Sequence, residues 1–184
     1  DGFTVVDSGG SVGTNGNGAT FVSWNWLAAG TAPSNTYAVK VVSDSGNKYR
    51  FDNFGTSAVT LEISEGGTFT FDQSDSSNNG HPLRFATQAD AANSSQYTTG
   101  VTTNGTPGQA GAYTRITVAA SAPTLFYYCT NHSGMGGQVN TNVTHGSTNF
   151  DGSILSVSQT NTDVGFSVVR YRGTGANGTF GHGV

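Results

Sequence analysis

The residues of this chain best suited to metal chemistry lie in one short stretch, residues 127–137. It contains the only cysteine and the only methionine of the chain, Cys129 and Met135, with His132 between them. Thiolate, imidazole and thioether are ligands that copper prefers, and two imidazoles with one thiolate and a weak axial thioether form a trigonal copper geometry. This stretch therefore offers three of four ligands. The rest of the chain must supply a second histidine and a scaffold.

The histidine best placed to supply the second imidazole is His81. It follows a polar loop that ends at Gly80, it precedes Pro82, and it stands at the head of the apolar segment 83–85. In a β-sandwich, a histidine at the head of such a strand can lie beside a loop between the last strands. The other histidines, at positions 145 and 182, fall outside this pattern and are expected at the surface.

Two other interpretations of the same stretch remain open at this point. Zinc would accept one cysteine and two histidines, although structural zinc sites usually carry more thiolates and gain little from a thioether. Alternatively, Cys129 and Met135 fill a small apolar core and bind no metal.

The composition predicts an all-β protein. The chain has 184 residues, of which 27 are glycine, 34% are hydrophobic and only 10% are charged. Short alternating runs of valine, tyrosine and phenylalanine are separated by clusters of glycine, asparagine and serine, and no segment has a sustained helical period. Residues 59–63 and 68–72 flank the turn Glu65–Gly67, and we expect them to form a hairpin with its apolar residues on one face.

Charge and hydropathy exclude some partners. A net charge of −4 and seven scattered basic residues argue against nucleic-acid binding, which needs clustered positive charge. No apolar run reaches membrane-spanning length. A single cysteine excludes an intrachain disulfide.

No motif for nucleophilic or acid–base catalysis has local support, so we expect the protein not to be an enzyme. Because the chain begins with Asp1 and shows no signal peptide, we expect it to be processed, trimmed or partial.

Residues 37–144 resemble a cupredoxin. The resemblance rests on an aromatic strand that ends in Tyr127-Tyr128-Cys129, on the spacing Cys129-x2-His132-x2-Met135, on His81-Pro82 upstream, and on the alternating run 61–71. It implies a Greek-key β-sandwich in which His81, Cys129 and His132 are equatorial copper ligands and Met135 is the axial ligand. The short spacer before Met135 is similar to the amicyanin type of ligand loop. The resemblance also implies electron transfer, with copper cycling between Cu(I) and Cu(II).

The flanks of this block contain short segments with a common character, rich in glycine, serine, threonine and aromatic residues, at 21–26, 34–36, 150–154, 165–169 and 173–183. Together these segments resemble a β-rich module of structural proteins in marine bacteriophages, often tail or fibre components. They imply that a cupredoxin-like domain, residues 37–146, is inserted into a smaller β-rich host module made of residues 1–36 and 147–184. Surface loops tolerate such insertions best. The two flanks are then expected to pair with each other.

These resemblances lead to three expectations for function. The first is a structural or attachment protein of a phage-like virion or surface assembly, which displays a copper-competent cupredoxin-like domain at the virion surface or in another extracellular setting. Its partners would be copies of itself, other structural subunits, or a host receptor or glycan. The second is a type 1 copper electron-transfer protein. The third is a carbohydrate- or receptor-binding β module that uses Trp24, Trp26 or the aromatic strands.

Overall fold

The protein is an all-β sandwich, as its composition predicts. The structure, a computed structural model, describes residues 32–142, 146–161, 166–172 and 177–181. Within these ranges there are thirteen strands, two short 3-10 segments and no α-helix. None of the helical segments in these ranges is long and apolar enough to cross a membrane.

The thirteen strands are numbered in chain order. Their bounds are β1 Ser34–Ser43, β2 Asn47–Phe51, β3 Leu61–Ser64, β4 Thr68–Asp72, β5 Leu83–Ala86, β6 Gln96–Tyr97, β7 Val101–Asn104, β8 Tyr113–Thr117, β9 Leu125–Cys129, β10 Gly137–Asn142, β11 Ser147–Asn149, β12 Ser156–Asn161 and β13 Phe166–Tyr171. The two 3-10 segments are η1 Ser76–Asn78 and η2 Ala89–Ser94.

Two five-stranded sheets form the sandwich. The first has the strand order β2-β1-β4-β8-β7, and the second has the order β3-β10-β9-β5-β6. Alternation along each strand determines which side chains reach the core: in β4, Phe69 and Phe71 are fully buried while their neighbours are partly exposed. Aromatic rings fill the centre, where Phe51 lies 5.1 Å from Tyr127 and 5.7 Å from Phe71, measured between ring centroids. The sandwich core is therefore built largely by aromatic side chains from both sheets.

The predicted hairpin of residues 59–63 with 68–72 is wrong. Strand β3 pairs in parallel with β10 in the second sheet, whereas β4 lies between β1 and β8 in the first sheet. The turn at Glu65–Gly67 thus carries the chain from one sheet to the other. Strands β3 and β4 each bury one apolar face. Two such strands can pack face to face from opposite sheets, or they can pair side by side within one sheet. Alternation alone does not distinguish the two arrangements.

A third sheet, β11-β12-β13, contacts the sandwich. Phe150, which is 7% exposed, packs its ring 5.4 Å from Tyr37 and 5.8 Å from Phe51. The Thr148 hydroxyl accepts a hydrogen bond from the Glu62 N–H at 2.6 Å. The segment after residue 146 is therefore joined to the sandwich by both apolar and polar contacts.

The predicted division into two domains stays a prediction. Its boundary at residue 37 falls inside β1, because Ser34–Thr36 already pair with Thr68–Thr70. Of the flank 1–36, the structure describes residues 32–36, and there the Asn35 amide donates to the Ser147 hydroxyl at 2.8 Å. The remainder of that flank, with Trp24 and Trp26, lies outside the described residues, as do His145 and His182.

Candidate metal centre

The topology of the second sheet brings the predicted ligands to one edge. His81 lies two residues before β5, Cys129 is the last residue of β9, and His132 follows in the loop that leads to β10. Strands β5 and β9 are antiparallel neighbours, with Leu83 opposite Cys129. The start of β5 and the end of β9 therefore meet, which places His81 beside Cys129.

The three side chains form a compact cluster. The Cys129 sulfur lies 3.8 Å from Nδ1 of His81 and 3.7 Å from Nδ1 of His132. One ligand atom from each residue falls within 4.8 Å of the others, and the two imidazole centroids are 4.5 Å apart. This is the one group of three or more histidine, cysteine or acidic side chains with metal-binding geometry in the described residues.

The separations in this cluster are compatible with three donors around one ion. With bond lengths of about 2.3 Å to sulfur and about 2.0 Å to nitrogen, sulfur–nitrogen separations of 3.8 and 3.7 Å allow the sulfur and either nitrogen to bind the same ion. One thiolate and two imidazoles also form the donor set that suits copper.

Exposure differs among the candidate ligands. Cys129 is 4% exposed, His81 is partly buried and His132 is exposed. Burial, together with the neighbouring His132 imidazole, lowers the pKa of His81 from its ordinary value of 6.5. A lowered pKa keeps the imidazole neutral at neutral pH, which is the form that can bind a metal.

Met135 lies in the same loop as His132, but its side chain is buried in the core whereas His132 is exposed. Met135 is 1% exposed and belongs to the same apolar cluster as Cys129. Its backbone carbonyl accepts a hydrogen bond from the Tyr49 N–H at 3.0 Å, which anchors the end of the loop to β2. Its role as an axial ligand stays a prediction.

A buried polar network holds His81, and the sequence argument missed it. Gln73, 1% exposed, donates through its amide to the His81 carbonyl at 2.8 Å and accepts through Oε1 from the Leu83 N–H at 3.1 Å. The Tyr49 hydroxyl donates to the same His81 carbonyl at 2.9 Å. One side chain thus bridges the residues on either side of Pro82. A signal was present in the sequence, because alternation through Phe69 and Phe71 puts Gln73 on the buried face.

Tyr49 is protonated in this setting. Burial, and secondly the nearby Cys129, raise the pKa of its phenol far above the ordinary value of 10.0. The hydroxyl is therefore a donor at every physiological pH, as its hydrogen bond to His81 requires.

Replacing Gln73 with leucine is expected to weaken both the fold and the site. The Leu83 N–H would lose its partner in the core, which costs about 1–3 kcal/mol of unfolding free energy. The loss of the bridge should also lower metal affinity about tenfold, the lower end of what outer-shell substitutions cost. Denaturant unfolding and metal titration measure the two effects.

The exposed Gln138 in β10 provides a matched control for this substitution. Gln138→Leu should change the unfolding free energy by about 0.5 kcal/mol or less. Equal metal affinity in Gln73→Leu and the wild type would show that the network does not position His81.

Fold and site together define an all-β sandwich with a His-Cys-His cluster at one sheet edge. Residues 87–184, more than half of the chain, match a family model described as a domain of unknown function, DUF7483. The chain belongs to this family. The matched range begins after His81, includes Cys129, His132 and Met135, and continues through the third sheet. No curated protein and no solved structure matches the chain.

Proposed function

We propose that this protein binds one copper ion through His81, Cys129 and His132, with Met135 as a weak fourth ligand, in a type 1 site. The observation that carries the proposal is the cysteine sulfur lying 3.8 and 3.7 Å from two imidazole Nδ1 atoms. The resemblance of residues 37–144 to a cupredoxin points the same way. Copper would supply one-electron redox chemistry at this position.

The chain's own residues favour copper over the alternatives. A single thiolate with two imidazoles is poor in sulfur for structural zinc. Cys129 is buried beneath the sheet edge, which keeps water from the sulfur, while His132 is exposed and brings one ligand to the surface. A buried thiolate with one surface imidazole suits the transfer of single electrons to a docked partner better than it suits catalysis on a substrate.

Copper reconstitution tests the proposal. Adding one equivalent of Cu(II) to the metal-free protein is expected to produce an intense visible thiolate-to-copper charge-transfer band that saturates at one copper per chain. Ascorbate should bleach the band, and reoxidation should restore it. A correctly folded protein that binds copper without this band, or binds none, contradicts the proposal.

The attachment role is a separate proposal. In it, the protein is a structural or attachment subunit of a phage-like particle and displays the copper-binding sandwich at the particle surface. This role is supported by the sequence motifs of the flanks. The described C-terminal segments also carry three large exposed apolar side chains, Val168, Tyr171 and Phe180. Tyr171 and Phe180 stack with ring centroids 4.3 Å apart. Electron microscopy of the native source would test this role.

Carbohydrate binding through Trp24 and Trp26 stays a prediction, since both lie outside the described residues.

A further inference from the structure

Gly134, in the loop between His132 and Met135, has both of its backbone groups bound to charged side chains from distant parts of the chain. Its N–H donates to both carboxylate oxygens of Asp90, each at 3.0 Å. Its carbonyl accepts a hydrogen bond from the Lys48 ammonium. Asp90 belongs to η2, and Lys48 belongs to β2. We call this pair of contacts the Gly134 clamp.

The clamp acts on the conformation of the loop itself. The N–H and the carbonyl of a residue belong to the two peptide planes on either side of its Cα, so holding both restrains φ and ψ together. Gly134 has φ of +70°, a conformation that glycine adopts without the steric cost of a Cβ. Each of these hydrogen bonds has a charged partner, and both contacts are exposed to solvent, which limits their contribution to overall stability. The backbone that joins two candidate ligands is nevertheless restrained at both polar groups of Gly134.

The neighbouring contacts of β2 extend the same restraint. Tyr49, next to Lys48, donates its N–H to the Met135 carbonyl at 3.0 Å and its hydroxyl to the His81 carbonyl at 2.9 Å. One strand thus contacts both segments that carry the histidine ligands. Asp90 and Lys48 do not belong to the ligand cluster itself, which consists of His81, Cys129 and His132.

We propose that Asp90 and Lys48 are positioning residues that hold the ligand loop in its metal-binding conformation before the ion arrives. The inference rests on the proposed copper function and names two groups that no ligand motif includes. Because the loop is already ordered, metal binding does not have to order it, and the metal is retained more tightly. Loss of the clamp should therefore weaken copper binding more than it weakens the fold.

The test compares Asp90→Ala and Lys48→Met with Glu65→Ala. Glu65 is a suitable control because its carboxylate also accepts an exposed backbone hydrogen bond, from the Ser121 N–H at 2.8 Å, outside the ligand loop. In metal-free protein, hydrogen exchange at the Gly134 amide should be faster in Asp90→Ala than in the wild type and unchanged in Glu65→Ala. In loaded protein, competition with a chelator should show copper affinity about tenfold lower in each clamp variant and unchanged in the control.

Thermal unfolding of the metal-free variants separates positioning from general stability. The proposal expects Asp90→Ala and Lys48→Met to melt close to Glu65→Ala. Copper affinity equal to that of the wild type in both clamp variants would overturn the proposal, and so would a loss of affinity accompanied by a much lower melting temperature than the control. A wild type that takes up no copper would instead overturn the proposed function, and the clamp's role with it.

Discussion

Replacing Cys129 with serine is expected to abolish the visible charge-transfer band completely while the sandwich remains folded. The band requires a thiolate bonded to copper, and this is the only cysteine of the chain. Serine is smaller and differs by one atom, so at the 4% exposed end of β9 it should disturb packing little. Copper that still binds through His81 and His132 would lack the sulfur-derived absorption.

The measurement is the visible spectrum of the copper-loaded variant, with circular dichroism of the metal-free protein to verify the fold. Thr130→Ala is the matched control, because Thr130 is the exposed neighbour of Cys129 and contributes no candidate ligand atom. The control should keep the band. A Cys129→Ser variant with the band intact would show that the thiolate is not the ligand.

Replacing Gly136 with alanine is expected to be strongly destabilising. A Cβ at this position would overlap the Tyr127 carbonyl oxygen and lie 2.6 Å from the carbonyl carbon. Both atoms belong to the backbone of β9, two residues before Cys129, so they cannot move aside as a flexible side chain can. We expect a loss of about 3 kcal/mol or more of unfolding free energy, the upper part of the range for overpacking. Any protein that folds should have a shifted copper spectrum, because relief of the clash displaces the ligand loop.

Denaturant unfolding of the metal-free protein measures this cost, and Gly55→Ala provides the comparison. A Cβ at Gly55 would meet no atom within 4 Å. The same substitution there should change the unfolding free energy by about 0.5 kcal/mol or less. Similar stabilities of the two variants would mean that the approach between the ligand loop and β9 is looser than the structure indicates.

Much of the fold follows from residue order. The alternation in residues 68–72 predicts β4 with the bounds that the structure has, and its phenylalanines are buried as expected. The absence of a helical period predicts the all-β class. The hairpin prediction failed because a period of two indicates which side of a strand is apolar, and leaves open which strand becomes its neighbour.

For the candidate site, the sequence by itself determined the donor types and the short loop that carries Cys129, His132 and Met135. It also indicated His81, through the polar loop before it and the strand after it. The reason is that these features are local: a few residues set the loop spacing, and side-chain chemistry sets which metals it suits.

Only the tertiary structure decided how that loop is held. Gln73 reaches the backbone on both sides of Pro82, and Asp90 and Lys48 bind the two backbone groups of Gly134. The clamp joins residues far apart in the chain. Such contacts depend on which strands become neighbours and how closely the sheets approach, and the pattern of apolar residues does not encode either. The sequence therefore determined which atoms could bind a metal, while the packing of the strands determined whether they lie within reach of one ion.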